Sequence, residues 1–253
     1  MSRANAVLLT RILLVAGCIG LLELACRLHL IDPLTLIPPS TMAAAMVRMI
    51  ASGEITGDIV HTFSTVAIAF VSSVVVGFVS GTIVHALPRL RRALDPLLAS
   101  YYAVPIFVFY PLLVALFGLT TLPLIAIGFI AAVPAMLIAT LLGLDRVPRV
   151  LHKVARIHRL GRLRTMGMVI LPAAMPSLFN GIKLSLAYAL IGTIAGEFIL
   201  SSGGLGYGIA YAYESFENQA MYGRMLFVLL VAVVLNGVLY TWESRLLQRR
   251  RRS

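Results

Sequence analysis

Of the 253 residues, 60% are hydrophobic and only 12% charged, more apolar surface than a soluble domain of this size can bury, so the chain is read as an integral membrane protein. The formal net charge of +11 could suggest a nucleic-acid partner. Such a binder needs its basic face on a soluble, aromatic-bearing module, and none is visible, so no nucleic acid is expected.

A helix needs about 20 apolar residues to cross a bilayer. Six segments meet or approach that length: Ala6 to Cys26, Thr62 to Leu87, Leu97 to Phe117, Leu122 to Leu144, Leu178 to Leu200, and Met225 to Trp242. The fold class expected is therefore all-α, a polytopic membrane helix bundle with about six transmembrane helices in a single domain over residues 1–253. In the first segment, Leu14 to Cys18 after Arg3 and Arg11 has the look of a lipoprotein cleavage box, but the apolar run continues past Cys18, as a membrane helix would. Cys18 and Cys26 lie roughly 12 Å apart along a helix, too far to bridge.

Residues 33–60 read as an amphipathic segment, in which Pro38-Pro39-Ser40 suits the start of a short helix through Met49, with a turn at Ser52-Gly53. In the second span, Gly77 and Gly81 have the small-x-x-x-small spacing of close helix contacts, as do Gly192 and Gly196 in the fifth. Pro105, Pro111, Pro123 and Pro134 would kink or interrupt the third and fourth spans. Prolines at membrane depth survive where other protein or water satisfies the freed carbonyls, so these helices face neighbouring helices or a pathway.

Residues 145–172 form a connection longer than the usual tight turn. Pro148 can open a short helix, Gly161 and Gly167 divide the remainder, and the interleaving of Lys153, Arg156 and Arg159 with Val150, Val154 and Ile157 predicts a pair of short amphipathic helices at the interface. Beyond the fifth span, Gly203-Gly204-Leu205-Gly206-Tyr207-Gly208 reads as a turn; it lacks the Gly-Lys-Ser/Thr of a phosphate loop. A basic tail occupies 245–253.

Cytoplasmic loops carry an excess of Lys and Arg. With six spans, 17 of the 21 such residues fall on one side: near the N-terminus, at Arg89 to Arg92, in the 145–172 connection and in the tail. Both termini are therefore expected in the cytoplasm. The five histidines never take a zinc-protease spacing, no serine sits in a Gly-x-Ser-x-Gly elbow, and neither a metal site nor a catalytic group is expected.

Ionisable groups at membrane depth are costly and so are suspects for function. Glu23 lies toward the outer end of the first span, Lys183 toward the inner end of the fifth, and Glu197 near its outer end. Lys183 can instead snorkel to the interface, and Glu197 can simply secure packing near the loop. Tyr101, Tyr102, Phe107, Phe109, Tyr110 and Tyr188 offer an aromatic lining for a planar solute, although aromatics also gather at membrane interfaces.

Taken together, the residues resemble the permease subunits of bacterial binding-protein-dependent ABC importers, in the branch handling nitrate, sulfonates, taurine and thiamine-precursor pyrimidines. That family's signature is Glu-Ala-Ala, a glycine four residues after the second alanine, and Leu-Pro a dozen residues later. Leu171-Pro172 matches its end; Lys153-Val154-Ala155 stands at the Glu-Ala-Ala positions and Arg159 at the glycine position, with a glycine displaced to Gly161. Ile37-Pro38-Pro39-Ser40, His61-Thr62 with Thr65, Leu94-Asp95-Pro96, Val104-Pro105, Pro111-Leu112, Phe117-Gly118, Gly181-Ile182-Lys183, Gly196-Glu197-Phe198 and Gly204-Leu205-Gly206-Tyr207 come in the family's order, and Glu243 beside Trp242 resembles its ending. The resemblance covers about residues 33 to 246.

The resemblance implies a non-enzymatic permease in the bacterial cytoplasmic membrane, paired with a second permease copy, two ATPase subunits and an extracytoplasmic substrate-binding protein. ATP and magnesium would be held by the partner ATPase, no cofactor by this chain, and membrane lipid would surround it. It also implies ATPase coupling through Lys153, Val154, Ala155, Arg156, Ile157, Arg159, Gly161, Leu171 and Pro172, with Val154, Ala155 and Ile157 as the docking face. Pro105, Phe107, Pro111, Lys183, Tyr188 and Glu197 are the candidates for a translocation pathway or gate. Two other classes stay open at this point: an ion-coupled secondary transporter using Glu23 or Glu197, and a membrane enzyme or assembly factor whose arginine loop binds anionic lipid or a phosphorylated substrate.

Overall fold

A computed structural model describes the chain over residues 3–252. The side chains of 3–8, Tyr102, Arg162, Leu200 and 246–252 lie outside the described residues, and with them Tyr102 of the aromatic lining, Arg3, and Arg249 to Arg252 of the basic tail. The described elements are helices and connecting turns: α1 (Arg3–Arg27), α2 (Pro39–Ala51), α3 (Thr56–Ala86), α4 (Pro88–Ser100), α5 (Tyr110–Phe117), α6 (Leu122–Asp145), α7 (Arg149–Ile157), α8 (Arg162–Thr165), α9 (Leu171–Leu200), α10 (Leu205–Glu214) and α11 (Asn218–Arg252). Among the described residues, five helices are long and apolar enough to cross a membrane, in α1, α3, α6, the run through α8 and α9, and α11.

The third expected span is not one helix. Chain from Leu97 to Phe117 passes from α4 through two 3₁₀ turns, Tyr101–Ala103 and Ile106–Phe109, into the eight-residue α5. Pro105 has an extended backbone and precedes the second turn, while Pro111 sits in the first turn of α5. Pro105 holds the preceding Val104 in an extended conformation, which ends the helical path, and Pro111 sits where a new helix can begin. The fourth span stays whole: Pro123 occupies the first turn of α6, where its missing N–H costs nothing, and Pro134 lies inside. Pro134 deprives the Ile130 carbonyl of its helical donor, and the Tyr101 hydroxyl donates to that carbonyl at 2.7 Å. The break in the third segment supplies the side chain that repairs the fourth.

The fifth span also differs from expectation. Helical backbone runs from Arg162 through a π turn at Met166–Ile170 into α9, so Leu171-Pro172 lies within a helix and does not end a loop. A wide turn immediately before a helix-interior proline is a local way to absorb its missing donor. The expected pair of amphipathic helices therefore reduces to α7 alone, succeeded by a short link and the beginning of the long helix.

The core is a three-helix sandwich with α6 between α3 and α9. Glycines set the distance of approach: a Cβ at Gly77 would lie 2.7 Å from that of Met136, one at Gly81 2.8 Å from that of Thr140, and one at Gly192 3.0 Å from the Gly128 Cα. Both small-residue pairs expected from spacing thus serve as contact faces, Gly77 and Gly81 for α3 on α6 and Gly192 for α6 on α9. Around these contacts Val66, Ala69, Ala132, Leu186, Ala189 and Leu190 form one buried cluster, and Met136, Leu144, Val147, Ala174 and Leu178 another.

Among the described residues, three helices, α1, α7 and α10, close through a left-handed residue other than glycine. Leu30, Leu160 and Glu217 donate their N–H groups five residues back, to the carbonyls of Ala25, Ala155 and Ala212, and the residues preceding them, His29, Arg159 and Phe216, hold positive φ of 54°, 50° and 57°. This is the Schellman arrangement, whose left-handed position is usually glycine.

Candidate functional site

Near the C-terminal end of α9, Glu197 is completely buried. Its carboxylate faces α3, where Asp58, His61, Thr62 and Thr65 recur at helical spacing on one side. The Thr62 hydroxyl lies 2.9 Å from both Glu197 oxygens and His61 Nδ1 lies 3.3 Å from Oε1. The start of α10 completes the shell. Gly206 N–H donates to Glu197 Oε2 at 3.0 Å, Leu205 N–H donates to the Thr62 hydroxyl at 2.8 Å, and Gly204 N–H reaches Asp58 Oδ1 at 3.3 Å. Glu197, Thr62 and Asp58 together occupy the positive end of α10, which has no side-chain cap of its own.

The glycine run now has a physical reason. Gly204 holds φ at 99°, and a Cβ there would collide with the Glu197 carboxyl group. A Cβ at Gly206 would fall on the Ile194 carbonyl oxygen, and one at Gly208 would lie 2.7 Å from Arg224 Nε. The expected turn is confined to Gly203 and Gly204; Leu205 to Gly208 are already the first residues of α10, and the two parts together seat a carboxylate from another helix.

Beside this hub lies a cavity of about 290 Å³. Its polar lining is His61, Thr120, Thr121, Ser201 and Ser202, and its apolar lining Tyr110, Leu119 and Leu124. Tyr110 is itself buried and lies beneath Gly196, with Leu124 and Ile127 packed around it.

At the opposite end of the bundle, Arg91 of α4 forms a two-pronged ion pair with Asp145 at the end of α6, at 2.6 and 2.5 Å, and His85 Nδ1 lies 3.2 Å from the same carboxylate. Lys183 of α9 pairs with Glu243 of α11 at 2.6 Å. Lys183 therefore has a partner inside the protein and does not merely snorkel. Glu23, the other suspect, accepts from the backbone N–H of Ser40 at 3.0 Å and from its hydroxyl at 2.7 Å, and pairs with Arg27. It caps α2 from outside, because Pro38 at that helix's start offers no side-chain oxygen.

The other expected pathway residues scatter. Phe107 packs near Tyr110, within reach of the hub, and Tyr188 packs against the Val66 cluster midway along α9. Pro105 and Pro111 are exposed at the broken segment. Lys183 sits about 21 Å down the helix from Glu197.

Within α7, Ala155 is 2% exposed and faces inward, Leu151 packs against the Leu144 cluster, and Val150, Val154 and Ile157 point outward. Of the three residues expected to form an outward face, Ala155 is thus misplaced, and Val150 takes its position. Lys153, Arg156, Arg159 and Gly161 are exposed around it; Leu171 and Pro172 are half-buried in the long helix. Asp58, His61, Thr62 and Glu243 were not singled out as partners from sequence, although the spacing of the first three, at i, i+3 and i+4, is a legible helical face.

Membrane-length helices built around internally paired charges define a multi-pass membrane protein, and comparison with known proteins says which class. The chain belongs to the family of binding-protein-dependent transport system inner membrane components, which it matches over residues 73–253. It is accordingly a transport component of the inner membrane rather than an enzyme. Glu197 and the glycine run lie inside that match, whereas Asp58, His61 and Thr62 precede it. A nitrate import permease protein of Leptolyngbya laminosa is 30% identical over 61% of this chain and 55% of its own length. A putative aliphatic sulfonates transport permease protein of Bacillus subtilis is 27% identical over 94% of this chain and 87% of its own length. A taurine transport system permease protein of Escherichia coli is 26% identical over 63% and 58%. The chain thus spans a little over half the length of the nitrate and taurine relatives. In fold it is similar to a chain of an inward-facing methionine ABC transporter, with TM-score 0.58 and 22% identity over 78% of this chain and 97% of that one.

Proposed function

We propose that the chain is the membrane-spanning subunit of an ATP-driven importer for a small solute of the nitrate, sulfonate or taurine kind, switching access from one side of the membrane to the other. Two copies would enclose the pathway, an ATPase dimer holding ATP and magnesium would sit on the arginine-rich side with both termini, and an extracytoplasmic binding protein would deliver the solute. The observation that carries the coupling part is α7: a short helix at the charge-rich end, anchored by Ala155 and Leu151 and offering an apolar outward face ringed by cations. A helix so anchored transmits a push as a rigid body to the bundle beneath it. Arg156 and Arg159 would pair with acidic groups on the ATPase.

The test is Val154→Asp with Ile157→Asp in the complex purified with its ATPase. Both side chains are exposed, so the chain itself should fold, while co-purification of the ATPase and substrate-stimulated hydrolysis should fall at least tenfold. Unchanged association and hydrolysis would remove α7 from the coupling role.

A further inference from the structure

We infer that the cavity beside Glu197 is a binding site within the permease for the oxyanion head group of a small solute, with His61 as the residue that fixes its charge preference. The inference rests on the proposed function for its meaning in transport, but its argument is local. The cavity, about 290 Å³, holds a solute of several heavy atoms. Five of its lining side chains carry hydrogen-bonding groups besides the tyrosine: four hydroxyls and one imidazole.

Among the described residues no carboxylate, Lys or Arg lines it, and the imidazole of His61 is the lining group there that can carry a positive charge. Its Nδ1 is directed at Glu197, which leaves Nε2 as the ring nitrogen available to a solute. With a proton on each ring nitrogen, Nδ1 would donate to the carboxylate and Nε2 to an oxyanion at once. Glu197's own oxygens are already taken by Thr62 and Gly206. An entering solute therefore meets a donor in front and the carboxylate only behind it. Hydroxyls from Thr121 and Ser202 can donate to the remaining oxygens of a planar or tetrahedral oxyanion, whereas those of Thr120 and Ser201 already donate to the Phe117 and Gly203 carbonyls. Leu119, Leu124 and the Tyr110 ring supply a surface for a short apolar tail. A sulfonate with one or two carbons matches both halves of this lining.

The experiment uses the full chain in nanodiscs of zwitterionic lipid, titrated with sodium ethanesulfonate against sodium chloride and tetramethylammonium chloride at equal ionic strength, with calorimetric binding as the readout. Ethanesulfonate should bind saturably and the two chloride salts should not. His61→Ala should weaken binding at least tenfold, and Thr121→Val with Ser202→Ala, which leaves the Glu197 contacts intact, at least threefold. Should His61→Ala fail to fold, the hydroxyl variant decides. Binding unchanged in the foldable variants, no saturable binding at all, or equal binding of tetramethylammonium would overturn the inference. ATP-driven uptake without ethanesulfonate binding would sink this site and leave the transport function standing; binding without any ATPase association would do the reverse.

Discussion

At the scale of single residues, the structure turns several apparent oddities into requirements of geometry. Arg159 stands where the importer-family signature has glycine, and its backbone holds a left-handed φ of 50° as the closing residue of α7. An L-residue other than glycine gives up about 1 kcal/mol there. Arg159→Gly should therefore raise thermal stability by about 1 kcal/mol, measured by melting in detergent, and a neutral or negative change would show that the guanidinium compensates through contacts of its own. Gly204 is the opposite case. Alanine at that position would meet the Glu197 carboxyl group and would have to hold φ at 99°, so Gly204→Ala should cost about 2–4 kcal/mol. Gly203→Ala, where nothing lies within 4 Å, should be close to neutral in the same melt.

At the scale of elements, proline distributes work between helices. Pro134 opens the backbone of α6, and Tyr101 from the broken third segment closes it. Tyr101→Phe keeps the ring but leaves the Ile130 carbonyl without this donor, and should destabilise by about 1–3 kcal/mol, read as a lower melting temperature. Ion pairs tie the long helices in a similar way. Lys183 and Glu243 retain only 22% and 15% side-chain exposure, so they are shielded from solvent screening. A double-mutant cycle with Lys183→Met and Glu243→Gln should return a coupling of about 1–3 kcal/mol. Each single variant should be worse than the pair, since it strands one charge. A coupling near zero would mean that the two charges are solvated independently.

At the scale of the whole molecule, α6 is the shared wall of the core, and α3 and α9 carry the Glu197 hub at one end and reach the charge-rich region at the other. A continuous, glycine-packed core transmits force as a body, which fits the coupling proposed between α7 at one end and the cavity beside Glu197 at the other. In proteoliposomes with the cognate ATPase and binding protein, uptake should require ATP inside and continue in the presence of a protonophore. Uptake that persists without ATP and collapses with the protonophore would instead make Glu197 the centre of an ion-coupled transporter.

Much of this was legible in the chain. Hydropathy over about 20 residues reports the solvent a helix needs, so the membrane class, the all-helical fold and most of the spans came from composition and segment length. Glu197 could be singled out because a carboxylate in such surroundings is costly wherever it points. The order of short motifs carried the family resemblance. What sequence could not decide depended on direction and partnership. Proline count does not say which prolines start helices and which interrupt them: Pro105 broke one span and Pro111 began the short helix after it, while Pro134 was accommodated in the next span by the hydroxyl of Tyr101. Left-handed helix stops at His29, Arg159 and Phe216 carry no glycine to announce them. Ala155 reads as part of an outward face, yet the rotation of α7 places it against the bundle. Above all, the identity of each charge's partner, Glu197 with Thr62 and the start of α10, Lys183 with Glu243, is set by which helices pack side by side. That is a property of the assembled core, where a charge is stabilised by whatever donors the tertiary fold brings to it, and no local pattern in the sequence encodes it.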